Sequence, residues 1–297
     1  MSRSAARAAA ILSPWRDRTG RFSVLKAATF LALFVPGLAN ALEYALGLLG
    51  PRPIAALIQA MGLWAIRLLF ASLAITPARQ VLRAPQLVSV RRMIGLAAFA
   101  YASIHLFAFA ADKMFDLAAV ASEIVLRVYL AIGAVGLILL CALAAISTDG
   151  MIRRLGAPRW QALQRGIYAI ALLATIHFFM QSKIDATEPT VMAGLLLWLL
   201  GYRALLWYGG TRLVTARLSL IGLSFAAGLI TAFGEAAYFG LFTRVDPMLV
   251  LQADMSLAAG FRPAWIVLAI ALTAVACAFA RDLGATFVTR RDGSSPH

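Results

Sequence analysis

Acidic side chains and cysteines are both scarce in this chain. Thirteen aspartates and glutamates stand against 27 lysines and arginines, and only two cysteines, Cys141 and Cys277, occur in 297 residues. The cysteines lie far apart inside apolar runs, which excludes a disulfide framework and a Cys-x-x-Cys metal or redox site. They read as small core residues. Polar stretches are short, none exceeding roughly 25 residues, so no nucleotide-binding domain of ordinary size is attached. No Walker A, Gly-x-Gly-x-x-Gly or His-Glu-x-x-His pattern falls in a loop able to house it. Any flavin or NADPH chemistry is therefore expected from a partner. The first 23 residues carry five arginines and no clean apolar run ending in small residues, so no cleavable signal peptide is expected.

What the chain has is apolar surface. Hydrophobic residues make up 62% and charged residues 13%, with a mean hydropathy of +0.84, a composition foreign to soluble domains. Apolar runs of about 20 residues are long enough to cross a bilayer as helices, which satisfy their own backbone there. The sequence predicts an all-α polytopic membrane protein with eight spans, near 24–47, 53–76, 92–111, 123–146, 166–182, 190–209, 218–242 and 263–281.

The net charge of +14 is concentrated in alternate loops. Arg3, Arg7, Arg16, Arg18 and Arg21 precede the first span. Arg79, Arg83, Arg91 and Arg92 join spans two and three, and Arg153, Arg154, Arg159 and Arg165 join four and five. Arg212 and Arg217 join six and seven, and Arg290 and Arg291 lie in the tail. The intervening loops are short or mixed, with Arg52 alone, then Asp112, Lys113 and Asp116, then Lys183, Asp185 and Glu188, then Arg244, Asp246, Asp254 and Arg262. By the positive-inside rule both termini are expected on the cytoplasmic side of a bacterial inner membrane. The basic excess is topological, with anionic lipid headgroups as its secondary partner, and it gives no ground for nucleic-acid binding.

Histidine is the informative rarity. His297 is the last residue, and the other two sit in near-identical hexapeptides, Ala102-Ser103-Ile104-His105-Leu106-Phe107 and Ala174-Thr175-Ile176-His177-Phe178-Phe179. Each follows a basic cluster by a similar distance, so spans three and five, entering from the same side, carry the imidazoles at one depth. That depth is ~20 Å from their cytoplasmic ends at 1.5 Å per residue. An ionisable group inside a membrane is expensive and points to function. Two neutral imidazoles at one level can clamp a flat cofactor, and imidazole is a common axial ligand of haem iron. Arg127, near the start of span four, is a candidate partner for haem propionates, or else an i,i+4 partner of Glu123 or a snorkelling side chain. Arg67, deeper in span two, needs an acceptor, which could be a haem carboxylate, a quinone or flavin, or a helix carbonyl. A transporter or scaffold using the histidines for helix-to-helix hydrogen bonds is the non-haem alternative.

Several strings carry a resemblance. Gly62-Leu63-Trp64-Ala65-Ile66-Arg67 runs through Leu73-Ala74-Ile75-Thr76-Pro77, and Arg91-Arg92-Met93-Ile94-Gly95-Leu96 leads to Tyr101 and His105. Ser147-Thr148 follows, then Trp160-Gln161-Ala162-Leu163-Gln164-Arg165 leading to Tyr168 and His177. Over about residues 25 to 205 the chain resembles the MsrQ (YedZ) family, haem-binding membrane subunits within the ferric reductase-like transmembrane domains. The resemblance implies b-type haem, about one per chain, ligated by His105 and His177. It also implies electrons arriving from quinol or a flavin reductase, with FMN or quinone as a further cofactor. They would leave to a periplasmic molybdopterin reductase, MsrP-like, that reduces methionine sulfoxide. A ferric or other metal reductase is the alternative acceptor chemistry.

Two departures from the family pattern matter. Family members read Trp-x-x-Leu-His-Arg where Gln164 stands here, and glutamine is a poor haem ligand, so a second haem is not implied. The chain also continues past residue 210 with two more spans, one containing Glu235, which has no local partner in sequence. The organisation expected is a basic cytoplasmic segment over 1–23, a haem-binding domain of six helices over 24–209 and an extension over 210–297.

Overall fold

A computed structural model describes residues 14–17, 20–182, 185–256 and 260–292, with side chains as far as residue 282. Arg3, Arg7, Arg18, Lys183 and His297 lie outside the described residues, as does most of the 1–23 segment, and the side chains of Arg290 and Arg291 lie past that limit. Helix is the sole regular element among the described residues, beside an isolated antiparallel bridge between Arg16 and Phe22. In chain order the helices are α1 (Val24–Ala45), α2 (Pro53–Val81), α3 (Val88–Asp112), α4 (Leu117–Leu126), α5 (Val128–Ala145) and α6 (Asp149–Leu155). They continue with α7 (Ala157–Gln164), α8 (Ile167–Gln181), α9 (Thr187–Thr215), α10 (Arg217–Phe242), α11 (Pro247–Met255) and α12 (Pro263–Asp292). Eight stretches among them are long and apolar enough to cross a membrane.

Short polar residues start these helices where the sequence supplies them. Ser23, Asp116, Thr148 and Asp246 each accept a backbone N–H of the following turn, the N-cap contact that satisfies an orphan donor. Pro247 follows its cap directly, where its missing N–H costs nothing. One continuous span over 123–146, as hydrophobicity alone implies, does not form. Arg127 is extended, with φ −112° and ψ 108°, so α4 ends and α5 begins at that residue. No proline or glycine stands at the break, and the Arg127 side chain turns back onto Glu123. Likewise the 190–209 span lengthens to 187–215 and bends at Gly210, whose φ of 63° is a conformation glycine adopts at little cost.

The described residues form two compact units, those within 1–73 and 86–177 and those within 74–85 and 178–297. This division differs from the 209/210 boundary expected from the sequence, because α9 packs with α10 and α12. In the first unit, α1 is tied to α3 by Tyr101. Its hydroxyl accepts from the Gly37 N–H and donates to the Leu33 carbonyl, both at 2.8 Å. Trp160 on α7 donates to the Ile146 carbonyl at 3.1 Å. In the second unit small side chains let helices approach closely, with Gly228 against Leu268, and polar contacts are internal, Trp198 donating to Ser224 at 3.3 Å.

The outer surface is apolar. Leu31, Leu38, Phe107, Ile138 and Leu139 are all exposed, an arrangement unfavourable in water and suited to lipid. Cys141 and Cys277, expected from the sequence to be core residues, are also exposed. In helices apolar on every side, hydrophobicity does not reveal which face is inside.

Candidate functional site

His105 on α3 and His177 on α8 come together in the first unit, their ring centroids 6.4 Å apart and their planes at 84°. The two histidines of the repeated hexapeptide are thus neighbours in space. Each ring is held by its Nδ1. His105 donates Nδ1–H to the Ile58 carbonyl on α2 at 2.7 Å, and His177 donates Nδ1–H to the Tyr129 carbonyl on α5 at 2.7 Å. A carbonyl can only accept, so the proton sits on Nδ1 in both rings, and the neutral ring keeps its lone pair on Nε2 for a metal. Hydrogen bonding the far nitrogen to a carbonyl is the usual way a ligating imidazole is oriented and made more basic.

The spacing can be tested against a shared metal. With metal–nitrogen bonds of about 2 Å and each centroid roughly 1 Å behind its bonding nitrogen, two axial imidazoles stand roughly 6 Å apart. The observed 6.4 Å fits. Among the described residues no group of three or more His, Cys, Asp and Glu could hold a bare metal ion. An ion between these two rings would therefore have to bring its own equatorial ligands, as haem iron does with its porphyrin. Both rings are half-buried, and each abuts a glycine whose missing Cβ leaves it room. A Cβ on Gly62 would come within 2.9 Å of His105 Nδ1, and one on Gly133 within 2.8 Å of His177 Nδ1. The residues present fit a bis-imidazole haem.

The remaining residues singled out from the sequence fall around this pair in different ways. Arg127 stands two residues before Tyr129 and is engaged locally, its Nε 2.5 Å from Glu123 Oε2 and its Nη1 3.1 Å from the Tyr129 hydroxyl. Its guanidinium is accordingly held even further above its ordinary range, chiefly by the Tyr129 hydroxyl and then by the Glu123 charge. Arg67 lies over the Trp64 ring at 5.3 Å, five residues beyond Gly62 and so ~7.5 Å further along α2. Gln164 donates to Ser147 Oγ at 3.1 Å and toward the Leu143 carbonyl at 3.5 Å, a polar contact between α7 and the end of α5 with no ring nitrogen to offer a metal. Glu235, in the second unit, has no partner nearby in sequence but has one distant in it. Arg262 Nη2 is 2.7 Å from its Oε1, and Arg262 Nε is 3.2 Å from Asp254 Oδ1.

Sequence reasoning missed Gly62, Gly133 and the two carbonyl acceptors. A glycine inside an apolar helix was the available signal, since it costs helix stability unless something approaches closely.

An all-helical membrane bundle with paired histidines defines the class of ferric reductase-like transmembrane proteins, and a family model described as ferric reductase like transmembrane component matches residues 61–175. The match takes in Gly62, Arg67, His105, Arg127 and Gly133 and stops two residues short of His177. The protein-methionine-sulfoxide reductase heme-binding subunit MsrQ of Rhodospirillum rubrum is 41% identical over 189 residues, 63% of this chain and 88% of that protein. The MsrQ of Azospira oryzae is 38% identical over 189 residues, 62% of this chain and 79% of its own. That of Caulobacter vibrioides is 39% identical over 174 residues, 57% and 83% respectively. The chain belongs to the MsrQ family. No solved structure matches it.

Proposed function

We propose that this chain is the membrane electron-transfer subunit of a methionine sulfoxide reductase system, holding about one haem b between His105 and His177. The observation that carries the reading is the 6.4 Å separation of two rings whose Nδ1 atoms are both committed to backbone carbonyls. A haem bound there supplies one-electron transfer, the chemistry the side chains lack. The protein's work is positional. His105 and His177 would hold the haem through their Nε2 atoms, and the Ile58 and Tyr129 carbonyls fix each ring through Nδ1. Arg67 and Arg127 are the cations proposed for the carboxylates of the group, Arg127 by exchanging Glu123 for a propionate of similar charge.

The electron donor proposed is quinol or a flavin reductase on the cytoplasmic side, with FMN or quinone as a further cofactor there. The acceptor proposed is a periplasmic molybdopterin reductase, MsrP-like. Supporting this direction is the placement of arginines in alternate loops, which favours both termini in the cytoplasm and an inner-membrane location. Residues 24–209 are the proposed haem-binding domain and 210–297 its extension.

The test is an absorption spectrum of the detergent-purified chain, oxidised and dithionite-reduced. A low-spin haem is expected, and His105→Ala or His177→Ala should each abolish it or convert it to high-spin. A preparation from haem-replete cells with no Soret band overturns the proposal. Turnover with ferric chelates but never with the reductase would assign the same haem to metal reduction.

A further inference from the structure

The two imidazoles are seated by one device used twice. In a helix the carbonyl of residue i already accepts the N–H of residue i+4, and its second lone pair is reachable only through the groove beside that bond. The side chain at i+4 leans toward the helix N-terminus and covers this groove. His105 reaches the carbonyl of Ile58, and the residue four further on is Gly62; His177 reaches the carbonyl of Tyr129, and the residue four further on is Gly133. A Cβ at Gly62 would lie 2.9 Å from Nδ1 and 3.1 Å from Cε1 of His105, and one at Gly133 would lie 2.8 Å from both atoms of His177. Neither ring can yield far, since each is anchored through its own helix at one end and the carbonyl at the other. Gly136, three residues along α5, shows the contrast, because a Cβ there would meet Leu173 at an ordinary 3.7 Å.

Because the hydrogen bond aims the Nδ1–H and the glycine groove admits the ring edge, position and rotation of each imidazole are fixed together. The grooves belong to different helices, α2 and α5, and the rings they hold stand at 84°. Resting on the haem reading above, we infer that Gly62 and Gly133 are positioning residues that set the two axial imidazole planes perpendicular to each other. In a low-spin ferric haem, perpendicular axial planes leave the iron orbitals that interact with the rings nearly equal in energy, which makes the electron paramagnetic resonance strongly anisotropic. Parallel planes split those orbitals and give an ordinary rhombic signal.

The experiment uses the full chain, purified in detergent with its haem and held ferric. Low-temperature paramagnetic resonance, redox titration and haem content are compared for the native protein, Gly62→Ala, Gly133→Ala and Gly136→Ala. The native protein and Gly136→Ala should give the strongly anisotropic low-spin signal. Gly62→Ala and Gly133→Ala should each replace it with a less anisotropic or a high-spin signal and shift the midpoint potential. Loss of haem from these two, with helicity retained and Gly136→Ala loaded, also supports the inference. A rhombic signal from the native protein overturns it even where a variant fails to purify, and so do native signals from both alanine variants. Haem that survives both His105→Ala and His177→Ala would instead sink the ligand assignment itself.

Discussion

Arg262 holds two carboxylates at once, and both are nearly inaccessible. Glu235 is 2% and Asp254 5% exposed, and on each the oxygen not bound to Arg262 has no hydrogen-bond partner. Removing one member of a buried charge set leaves the others uncompensated, a cost of about 3–5 kcal/mol. Arg262→Ala should therefore lower the thermal midpoint of the detergent-solubilised protein sharply, and Arg262→Ala combined with Glu235→Gln should recover part of the loss. A midpoint unchanged in Arg262→Ala would show that the cluster contributes nothing. Arg262→Lys should fall between, because a single ammonium cannot reproduce the fork that reaches both acids. None of this was legible in the sequence, where Arg262 lies 27 residues past Glu235, in the loop before α12. The histidines were legible because rarity and repetition mark them without any knowledge of packing. Their glycine neighbours were not, since a groove exists only once two helices are paired.

Among the helices, α1 depends on a side chain from outside itself. Pro36 lacks the N–H that the Ala32 carbonyl would need, and one residue on, the Tyr101 hydroxyl stands between the Gly37 N–H and the Leu33 carbonyl. Tyr101 lies one turn before His105 on the same stripe of α3, so this lock and the candidate site share a helix face. Tyr101→Phe removes both bonds, each worth roughly 1 kcal/mol net. A drop of a few degrees in thermal midpoint is expected, with haem content kept; loss of the Soret band in Tyr101→Phe would show that α1 reaches the site. Hydrophobic length alone revealed the existence of the spans and most of their bounds, because a bilayer asks only for apolar residues in number. The break at Arg127 left no such mark. Arg127 contacts Glu123 and Tyr129 there, and a sequence without proline or glycine at that point reads as continuous helix.

At the level of the whole chain, apolar runs long enough to cross a bilayer and cations gathered in alternate loops make the membrane class readable from the amino-acid sequence alone. The proposed direction of electron flow is checked by sidedness. A membrane-impermeant oxidant should reoxidise the reduced haem quickly in right-side-out vesicles and slowly in inverted ones, and fast reoxidation from the cytoplasmic face alone would reverse the proposed topology. The bend at Gly210 bears on where the bilayer ends. Just before it, Trp207 and Tyr208 stack at 5.7 Å and are almost wholly exposed. Trp207 stands twenty residues past Thr187, the first residue of its helix, which is about 30 Å along the axis and matches the hydrocarbon thickness. Indole and phenol rings partition to the headgroup level, where an apolar ring meets lipid and its polar tip meets water. That preference predicts the pair as a float that sets how far α9 sinks into the leaflet, with the turn at Gly210 in the wet headgroup layer.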